Sequence, residues 1–304
     1  MKDTINRTYC SLLRFTMCLI LFTVGYTLSA QTKRALVFGV SDYPQTSNMA
    51  WGSIHGSNDA DLITSVLNRQ GFKTVKICSK AVTAKRIRKE LINLPATCKP
   101  GDWVYIHFSC HGQPFEDING DEEDGWDESI VPYDAQMVYT KKVYEGQNHI
   151  TDDELHNYLN KIRRTVGTKG LVCVVIDACH AGGSSRGDDE VEDDDEVYVR
   201  GTKKGFSPNG NDFRPRINAK GAFRIPKDSG LANIMILEAC RSYQSNYEIK
   251  QDGKYYGPLS YYISQVLAKR KLSCSIDWIS EVNSLMKADK RLTRQNMVYE
   301  TTIQ

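Results

Sequence analysis

The sequence predicts a three-layer α/β/α sandwich with a mostly parallel central sheet. Short apolar runs alternate with helical patterns along the chain, at residues 35–40, 74–77, 103–108, 171–176 and 234–237. Runs that lack polar alternation indicate strands buried on both faces, as in a parallel sheet covered by helices. With 304 residues, 40% hydrophobic and 25% charged, the chain is long enough for one sizeable core.

Helix boundaries can be placed from local signals. Residues 62–67 carry one apolar stripe, and Ser57 or Asn58 is the expected N-cap of that helix. Thr151, with a glutamate three residues later, predicts a capping box at the start of a second helix. Pro258 is predicted to lie in the first turn of a third helix.

Residues 1–30 have the pattern of a cleavable export signal that ends near Ala30. The apolar run at 15–24 is about half as long as a membrane-spanning helix requires, which argues against a retained anchor. We therefore expect an exported, periplasmic or secreted protein without stable membrane insertion. Three basic groups and one acidic group leave with the signal, so the formal net charge of +2 falls to about zero. This balance offers no bulk positive field for nucleic acid.

The mature chain is predicted to divide into a larger front part, residues 31–183, and a smaller rear part, residues 231–304, which share one sheet. Between them, residues 184–230 are first acidic and then rich in Gly, Pro, Asn, Lys and Arg. That composition predicts a mobile connector or a long surface loop.

Nine cysteines are present, and two of them leave with the predicted signal. The remaining number is odd, so at least one thiol stays free even in an oxidising compartment. Cys110, Cys173 and Cys240 lie within or at the end of apolar runs and are expected in the core. No spacing of cysteine and histidine indicates structural zinc.

A candidate catalytic pair follows two neighbouring predicted strands. The third strand leads into Ser109-Cys110-His111-Gly112, and the fourth leads into Asp177-Ala178-Cys179 and then Gly182-Gly183. A thiol becomes a strong nucleophile when a nearby imidazole stabilises the thiolate or accepts its proton. We therefore predict Cys179 as nucleophile and His111 as acid/base, with His180 as a less suitable base.

Glycines beside both residues would leave backbone NH groups accessible to a developing oxyanion, and those of Gly112 and Cys179 are the candidates. A single cysteine or histidine in this setting is more often packing than chemistry. The ordered pairing of the two motifs is what makes the catalytic interpretation specific.

The motifs that surround this pair resemble those of the caspase-fold peptidases, in particular the metacaspase and bacterial caspase-like branch of peptidase family C14. The resemblance covers about residues 33–267 and includes ALVFGVSDY, GSNDADLITSVLNRQGF, HFSCHG, DACHAGG, LEACRSYQSNYE and GPLSYYISQVL. It implies a caspase-like sandwich and a cysteine endopeptidase that acts on protein or peptide substrates. No cofactor is implied for the chemistry itself, and we expect a monomer.

In metacaspases the pocket for the residue before the cleaved bond is acidic, which implies cleavage after Arg or Lys. The resemblance assigns Asp59, Ser109 and Asp177 to this pocket. Asp177 also has independent support, because a carboxylate two residues before the nucleophile could pair with a cationic substrate group. The alternative for Asp59 is an exposed carboxylate that stabilises a helix N-terminus.

The resemblance also implies calcium activation, and hard oxygen ligands are available in the segment 119–128 and at the start of the Thr151 helix. Asp127, Asp152 and Asp153 are the candidate Ca²⁺ ligands. Arg186 stands where a further carboxylate would help, so a solvated acidic loop is the competing interpretation.

Self-cleavage is a further hypothesis, because a chain that cuts after basic residues carries several in its connector: Arg186, Arg200, Lys203, Lys204, Arg214 and Arg216. Two other functions stay open, namely a peptidase similar to clostripain or gingipain and a catalytically silent module that binds basic peptides. A flavodoxin-like nucleotide-binding domain would need a Gly-rich loop after the first strand, where the sequence has only Gly39.

Overall fold

A computed structural model describes residues 31–45, 51–120, 122–179, 197–215, 217 and 221–303. The predicted export signal, His180, Arg186, the acidic run 188–196 and Arg216 lie outside the described residues. Residues from Thr32 onward form one compact unit. Within the described ranges, no helix has both the length and the apolar character needed to cross a bilayer.

The secondary structure alternates between strands and helices as predicted. The strands are β1 (Lys33–Gly39), β2 (Phe72–Cys78), β3 (Trp103–Ser109), β4 (His111–Glu116), β5 (Trp126–Val131), β6 (Ile150–Thr151), β7 (Leu171–Asp177), β8 (Ala222–Arg224), β9 (Asn233–Glu238), β10 (Ile249–Gln251), β11 (Lys254–Tyr256) and β12 (Val298–Thr301). The α-helices are α1 (Gly56–Arg69), α2 (Ala84–Thr97), α3 (Asp152–Val166), α4 (Pro258–Lys269) and α5 (Asp277–Ala288).

A seven-stranded sheet forms the middle layer, with the order β2-β1-β3-β7-β9-β12-β8. The first five of these strands run parallel, whereas β12 is antiparallel to β9 and β8 is parallel to β12. The predicted fold class, a sandwich around a mostly parallel sheet, is confirmed. β4, β5 and β6 form a separate antiparallel sheet, and β10 pairs with β11.

Each face of the large sheet is covered by its own helices. On β1, Leu36 and Phe38 pack in the core that contains the apolar residues of α2 and α3. Ala35 and Val37 point the other way, into the core shared with α1, α4 and α5. This alternation buries both sides of one strand, as an uninterrupted apolar run requires.

The cap predictions had mixed outcomes. The Thr151 side chain accepts a hydrogen bond from the Glu154 NH at 3.3 Å, which confirms Thr151 as the N-cap. The Glu154 carboxylate, however, binds the guanidinium of Arg88, so only this half of the predicted capping box is observed. α4 begins at Pro258, as predicted. The prediction of Ser57 or Asn58 as N-cap was wrong, because α1 already begins at Gly56. The hydroxyl of Ser41, in the preceding loop, accepts a hydrogen bond from the Ser57 NH at 3.0 Å and thereby caps the N-terminus of α1.

The prediction that every apolar run is buried on both faces fails for β2. This strand lies at the edge of the sheet, and Val75 is 43% exposed. The connector prediction also differs from the structure over residues 197–206. This stretch is hydrogen-bonded against β4 and residue 179, and both Arg200 and Phe206 are fully buried.

Candidate active site

The ends of β3 and β7 lie side by side, as predicted. The two strands pair in parallel, and Ser109 stands opposite Asp177 at the last position of the register. His111 follows Ser109 by two residues at the start of β4, and Cys179 follows Asp177 by two. Both candidate catalytic residues therefore leave the sheet at the same edge, where the carboxyl ends of parallel strands bind ligands.

The His111 imidazole is buried and held by its neighbours. Its ring centroid lies 5.0 Å from the rings of both Tyr43 and Trp51, and its Nε2 lies 2.8 Å from the carbonyl oxygen of Gly52. A carbonyl oxygen only accepts, so Nε2 carries the proton and Nδ1 keeps a lone pair. Among the described residues, the buried Nδ1 has no hydrogen-bond partner. Burial lowers the pKa of His111 to about 4, so the neutral form prevails at pH 7.

Two backbone NH groups converge on one carbonyl oxygen at this edge. The NH of Cys179 donates to the carbonyl of Arg200 at 2.8 Å, and the NH of Gly112 donates to the same oxygen at 3.2 Å. These are the two NH groups that the sequence predicted for an oxyanion hole. The Cys179 thiol itself is buried and donates to the carbonyl of Gln244 at 2.9 Å.

The three predicted pocket residues meet around the guanidinium of Arg200. Its Nη1 lies 2.7 Å from Asp59 Oδ2, 2.7 Å from Ser109 Oγ and 3.6 Å from Asp177 Oδ1. Asp59 and Asp177 are fully buried, so the alternative of an exposed helix-terminal carboxylate at Asp59 was wrong. These residues thus form a buried acidic pocket that holds an arginine side chain.

Glu248 is a fourth pocket residue, to which the sequence analysis gave no role. Its Oε1 accepts from Arg200 Nη2 at 2.7 Å and from Nε at 3.0 Å. On the other side, the backbone NH of His55 donates to Glu248 at 2.7 Å. The residue lies at the end of the LEACRSYQSNYE motif, whose spacing alone does not show which face its side chain occupies.

The pocket carboxylates are fixed by hydrogen bonds from the rear part of the chain. Asp177 accepts from the NH of Ser260 at 2.7 Å and from its hydroxyl at 2.6 Å, and Asp59 accepts from the NH of Gly257 at 3.1 Å. A Cβ on Gly257 would lie 2.3 Å from Asp177 Oδ2 and 2.4 Å from Arg200 Nη1. Only glycine therefore leaves room for the guanidinium at this wall.

The electrostatics follow from three buried carboxylates around one cation. Burial raises the pKa of Asp59 to about 7, with Arg200 opposing the shift and Asp177 adding to it. Burial alone would also raise the pKa of Glu248, but Arg200 and the hydrogen bonds from His55 lower it to about 2. The pocket is thus strongly biased toward a cationic occupant.

The caspase-domain model of peptidase family C14 matches residues 32–303, which is nearly the whole described chain. The chain belongs to this caspase-domain family of cysteine peptidases. The resemblance seen in the motifs is thereby confirmed, and it favours the caspase-domain branch over a relative of clostripain or gingipain.

The curated relatives of this caspase-domain chain include metacaspases. Metacaspase-1 of Schizosaccharomyces pombe is 31% identical over 173 residues, which cover 54% of this chain and 37% of that protein. Metacaspase-2 of Arabidopsis thaliana is 32% identical over 161 residues, covering 49% of this chain and 34% of that protein. The matches therefore span only about a third of the length of these relatives.

A solved structure shares the caspase-like fold. Protein GSU0716 from Geobacter sulfurreducens superposes with a TM-score of 0.61 over 90% of this chain and 94% of that chain, at 18% sequence identity. This likeness supports the fold.

The three predicted calcium ligands lie near the start of α3 in this caspase-domain chain. Asp127 is in β5, whereas Asp152 and Asp153 are in the first turn of α3. Within the described ranges, no three acidic, histidine or cysteine side chains are grouped closely enough to hold a metal ion. Asp153 accepts a hydrogen bond from the Asn119 amide at 2.6 Å. Calcium binding stays a prediction.

The cysteines expected in the core are buried. Cys110, Cys173 and Cys240 are each 6% exposed or less. Burial raises the pKa of the Cys110 thiol to about 12, which keeps that thiol protonated. None of the cysteines in the described part of the chain forms a disulfide.

Proposed function

We propose that this chain is an endopeptidase that hydrolyses peptide bonds after Arg or Lys, with Cys179 as nucleophile and His111 as acid/base. The observation that carries the proposal is that the side chain and the backbone carbonyl of Arg200 are both bound by the candidate site. Its guanidinium is bound by Asp59 and Glu248, while its carbonyl oxygen accepts from the NH groups of Gly112 and Cys179. One arrangement thus selects a basic side chain and polarises the carbonyl beside it.

The proposed chemistry proceeds in two halves. The Cys179 thiol gives its proton to Nδ1 of His111, and the sulfur attacks the carbonyl carbon while the two NH groups stabilise the oxyanion. The protonated His111 then gives the proton to the leaving amine, and a thioester remains. Water, activated by the same imidazole, hydrolyses the thioester and releases the new carboxylate.

The buried setting of His111 supports the role of base. Its Nε2 is oriented by the Gly52 carbonyl, which leaves the Nδ1 lone pair available, and the lowered pKa keeps it unprotonated at neutral pH. The Cys179 thiol donates its proton to the Gln244 carbonyl in this structure. The thiol must therefore turn away from that carbonyl before it can give its proton to His111.

A panel of fluorogenic peptides that differ only in Arg, Lys or Asp before the cleaved bond tests this function, with and without a calcium chelator. We expect hydrolysis after Arg and Lys and none after Asp. Cys179→Ala should abolish it, whereas Cys274→Ala, at an exposed cysteine, should leave it unchanged. Preference for Asp would refute the pocket assignment, and binding of Arg peptides without turnover would favour the silent binding module.

Three further expectations belong to the same proposal. The protein is exported through the signal in residues 1–30, it acts as a monomer, and calcium bound near Asp152 activates it. Asp152 supports the last point, because among the described residues its buried Oδ1 has no hydrogen-bond partner. Carboxylate oxygens are the ligands that Ca²⁺ prefers. Chelator sensitivity of the peptide assay tests the calcium role.

A further inference from the structure

Residues 198–201, here called the inserted segment, lie in the candidate site in the manner of a peptide substrate. The NH of Arg200 donates to the carbonyl of Asn246 at 3.0 Å, and the NH of Glu248 donates to the carbonyl of Tyr198 at 3.0 Å. Val199 and Tyr247 form the antiparallel bridge between these bonds. Recognition through an added strand is a common way to bind an extended peptide.

The register of the inserted segment singles out one peptide bond. Arg200 fills the acidic pocket with a fully buried side chain, and its carbonyl oxygen receives both candidate oxyanion NH groups. The bond that follows this carbonyl joins Arg200 to Gly201, and Gly201 is in parallel bridge contact with Cys179.

Gly201 is required by this close approach. A Cβ at this position would lie 1.9 Å from the carbonyl oxygen of Cys179, a distance that no side chain tolerates. The glycine therefore lets the chain lie directly on the backbone of the proposed nucleophile.

The chain beyond Gly201 is anchored as well. The Gln113 side-chain amide donates to the carbonyl of Lys204 at 2.9 Å, and the NH of Phe206 donates to the carbonyl of Pro114 at 2.8 Å. The Phe206 ring is fully buried and stacks on Phe115 at 5.0 Å. With anchors on both sides, the bond between residues 200 and 201 is held in place at high effective concentration.

We propose that Arg200–Gly201 is the bond at which this chain cleaves itself, and that the uncut chain blocks its own pocket with Arg200. The proposal rests on the proposed function. The Cys179 sulfur forms a thioester with the Arg200 carbonyl carbon, and the bond to the Gly201 nitrogen breaks. The thiol proton passes through His111 to that nitrogen, which becomes the new N-terminal amine. Water then hydrolyses the thioester, giving the Arg200 carboxylate and the free thiol.

The same geometry explains why the uncut chain should be slow toward other substrates. An external Arg peptide needs the pocket formed by Asp59, Asp177 and Glu248, and all three are already engaged by Arg200. It also needs the Asn246 carbonyl, which the Arg200 NH occupies. After cleavage, only the strand pairing and the pocket contacts still hold residues 198–200. This new end of the chain can therefore leave the site and make room for an external peptide.

The full chain is tested by incubation after purification, with intact mass measurement and N-terminal sequencing of the fragments. We expect one new N-terminus at Gly201, formed at a rate independent of protein concentration over a hundredfold range. Cys179→Ala should stay intact, and added wild-type enzyme should cut it at residue 200 at most about a hundredth as fast. A first cut after another basic residue would overturn the assignment.

Arg200→Gln should lower cleavage at this bond by at least about a hundredfold, whereas Lys203→Gln, a matched change at an exposed neighbour, should be cut at the wild-type rate. Arg200→Lys keeps the charge if the glutamine variant fails to fold, and it should still be cut after residue 200. Against an Arg peptide, wild type should show a lag that ends as the fragment accumulates, and Arg200→Gln should show none.

The two proposals fail in different ways. If wild type hydrolyses Arg peptides without a lag while its chain stays intact, self-cleavage and self-blocking are refuted and the proposed function stands. If wild type, Arg200→Gln and Arg200→Lys all leave Arg and Lys peptides and the chain untouched, the proposed function itself is refuted.

Discussion

A substitution at Glu248 tests whether the negative charge of the pocket selects a basic side chain. Its Oε1 accepts two hydrogen bonds from the guanidinium of Arg200, at 2.7 and 3.0 Å, in a fully buried position. Hydrogen bonds to charged groups contribute about 1.5–3 kcal/mol each. Glu248→Gln keeps an acceptor oxygen and removes the charge, so we expect a loss of about 2 kcal/mol for an Arg substrate. This corresponds to about a thirtyfold lower kcat/KM.

The assay compares two peptides, one with Arg and one with its neutral isostere citrulline before the cleaved bond, on enzyme already cut at residue 200. Glu248→Gln should lower kcat/KM about thirtyfold for the Arg peptide and leave the citrulline peptide within a factor of about two, because only Arg has lost an ionic partner. Glu281→Gln, at a surface ion pair with Arg270, is the matched control and should change neither value. An equal decrease of kcat/KM for both peptides would show that Glu248 maintains the structure of the pocket and does not recognise the charge of the substrate.

Three further expectations concern pH, stability and calcium. Burial raises the pKa of Asp59 to about 7 while Arg200 occupies the pocket, and loss of that cation from the cut enzyme raises it further. The kcat/KM for Arg peptides should therefore still rise as the pH increases above 7, and Asp59→Asn should flatten the rise. The raised pKa also means that the folded state binds an extra proton between about pH 4 and 7, so the contribution of Asp59 to stability falls as the pH rises. Thr151→Ala removes the cap of α3 and should lower the free energy of unfolding by about 1 kcal/mol in urea titrations, whereas Thr165→Ala on the exposed side of the same helix should change it by less than about 0.5 kcal/mol. Burial, together with Glu122 and Asp153, raises the pKa of Asp152 to about 6, so Ca²⁺ measured by calorimetry should bind more tightly as the pH rises through 6; an unchanged affinity in Asp152→Asn would exclude this residue as a ligand.

The central sheet was predictable because burial on both faces leaves a signal in every residue of a strand. In β7, Val172 and Val174 face one core, while Leu171 and Cys173 face the other. Residues 171–174 are therefore all apolar, and the buried strand is visible in the sequence. β2 followed the same apolar signal only in part, since its place at the edge depends on the strand order, which local sequence does not encode.

The candidate catalytic residues were predictable for a different reason. Parallel strands end at one edge, so two motifs that follow neighbouring strands must meet there, whatever the rest of the chain does. Asp59 needed the family resemblance, because it is brought to the pocket by α1, 50 residues before Ser109. Glu248 was missed because its pairing with Arg200 depends on a contact between two segments that composition assigned to separate parts of the chain.

The average composition of the connector did not indicate that residues 198–201 lie in the site, although their own sequence contains features that predict it. The connector is rich in residues typical of loops, and that average conceals Val199 and Arg200, which pair like a strand with residues 246–248. The contact between residue 201 and the Cys179 backbone requires glycine after the basic residue, and of the six basic candidates only three are followed by one. Those three are Arg186, Arg200 and Lys204.

Lys204 and Arg200 can then be separated by what precedes them. Arg200 follows Tyr198 and Val199, whose bulky side chains favour the extended backbone that an added strand requires. Lys204 follows another lysine, is exposed, and has its carbonyl bound by the Gln113 amide outside the pocket. Arg186 lies outside the described residues, so the sequencing of the first fragment decides between it and Arg200. A first cut between Arg186 and Gly187 would overturn the assignment of the Arg200–Gly201 bond, whereas a first new N-terminus at Gly201 would support it.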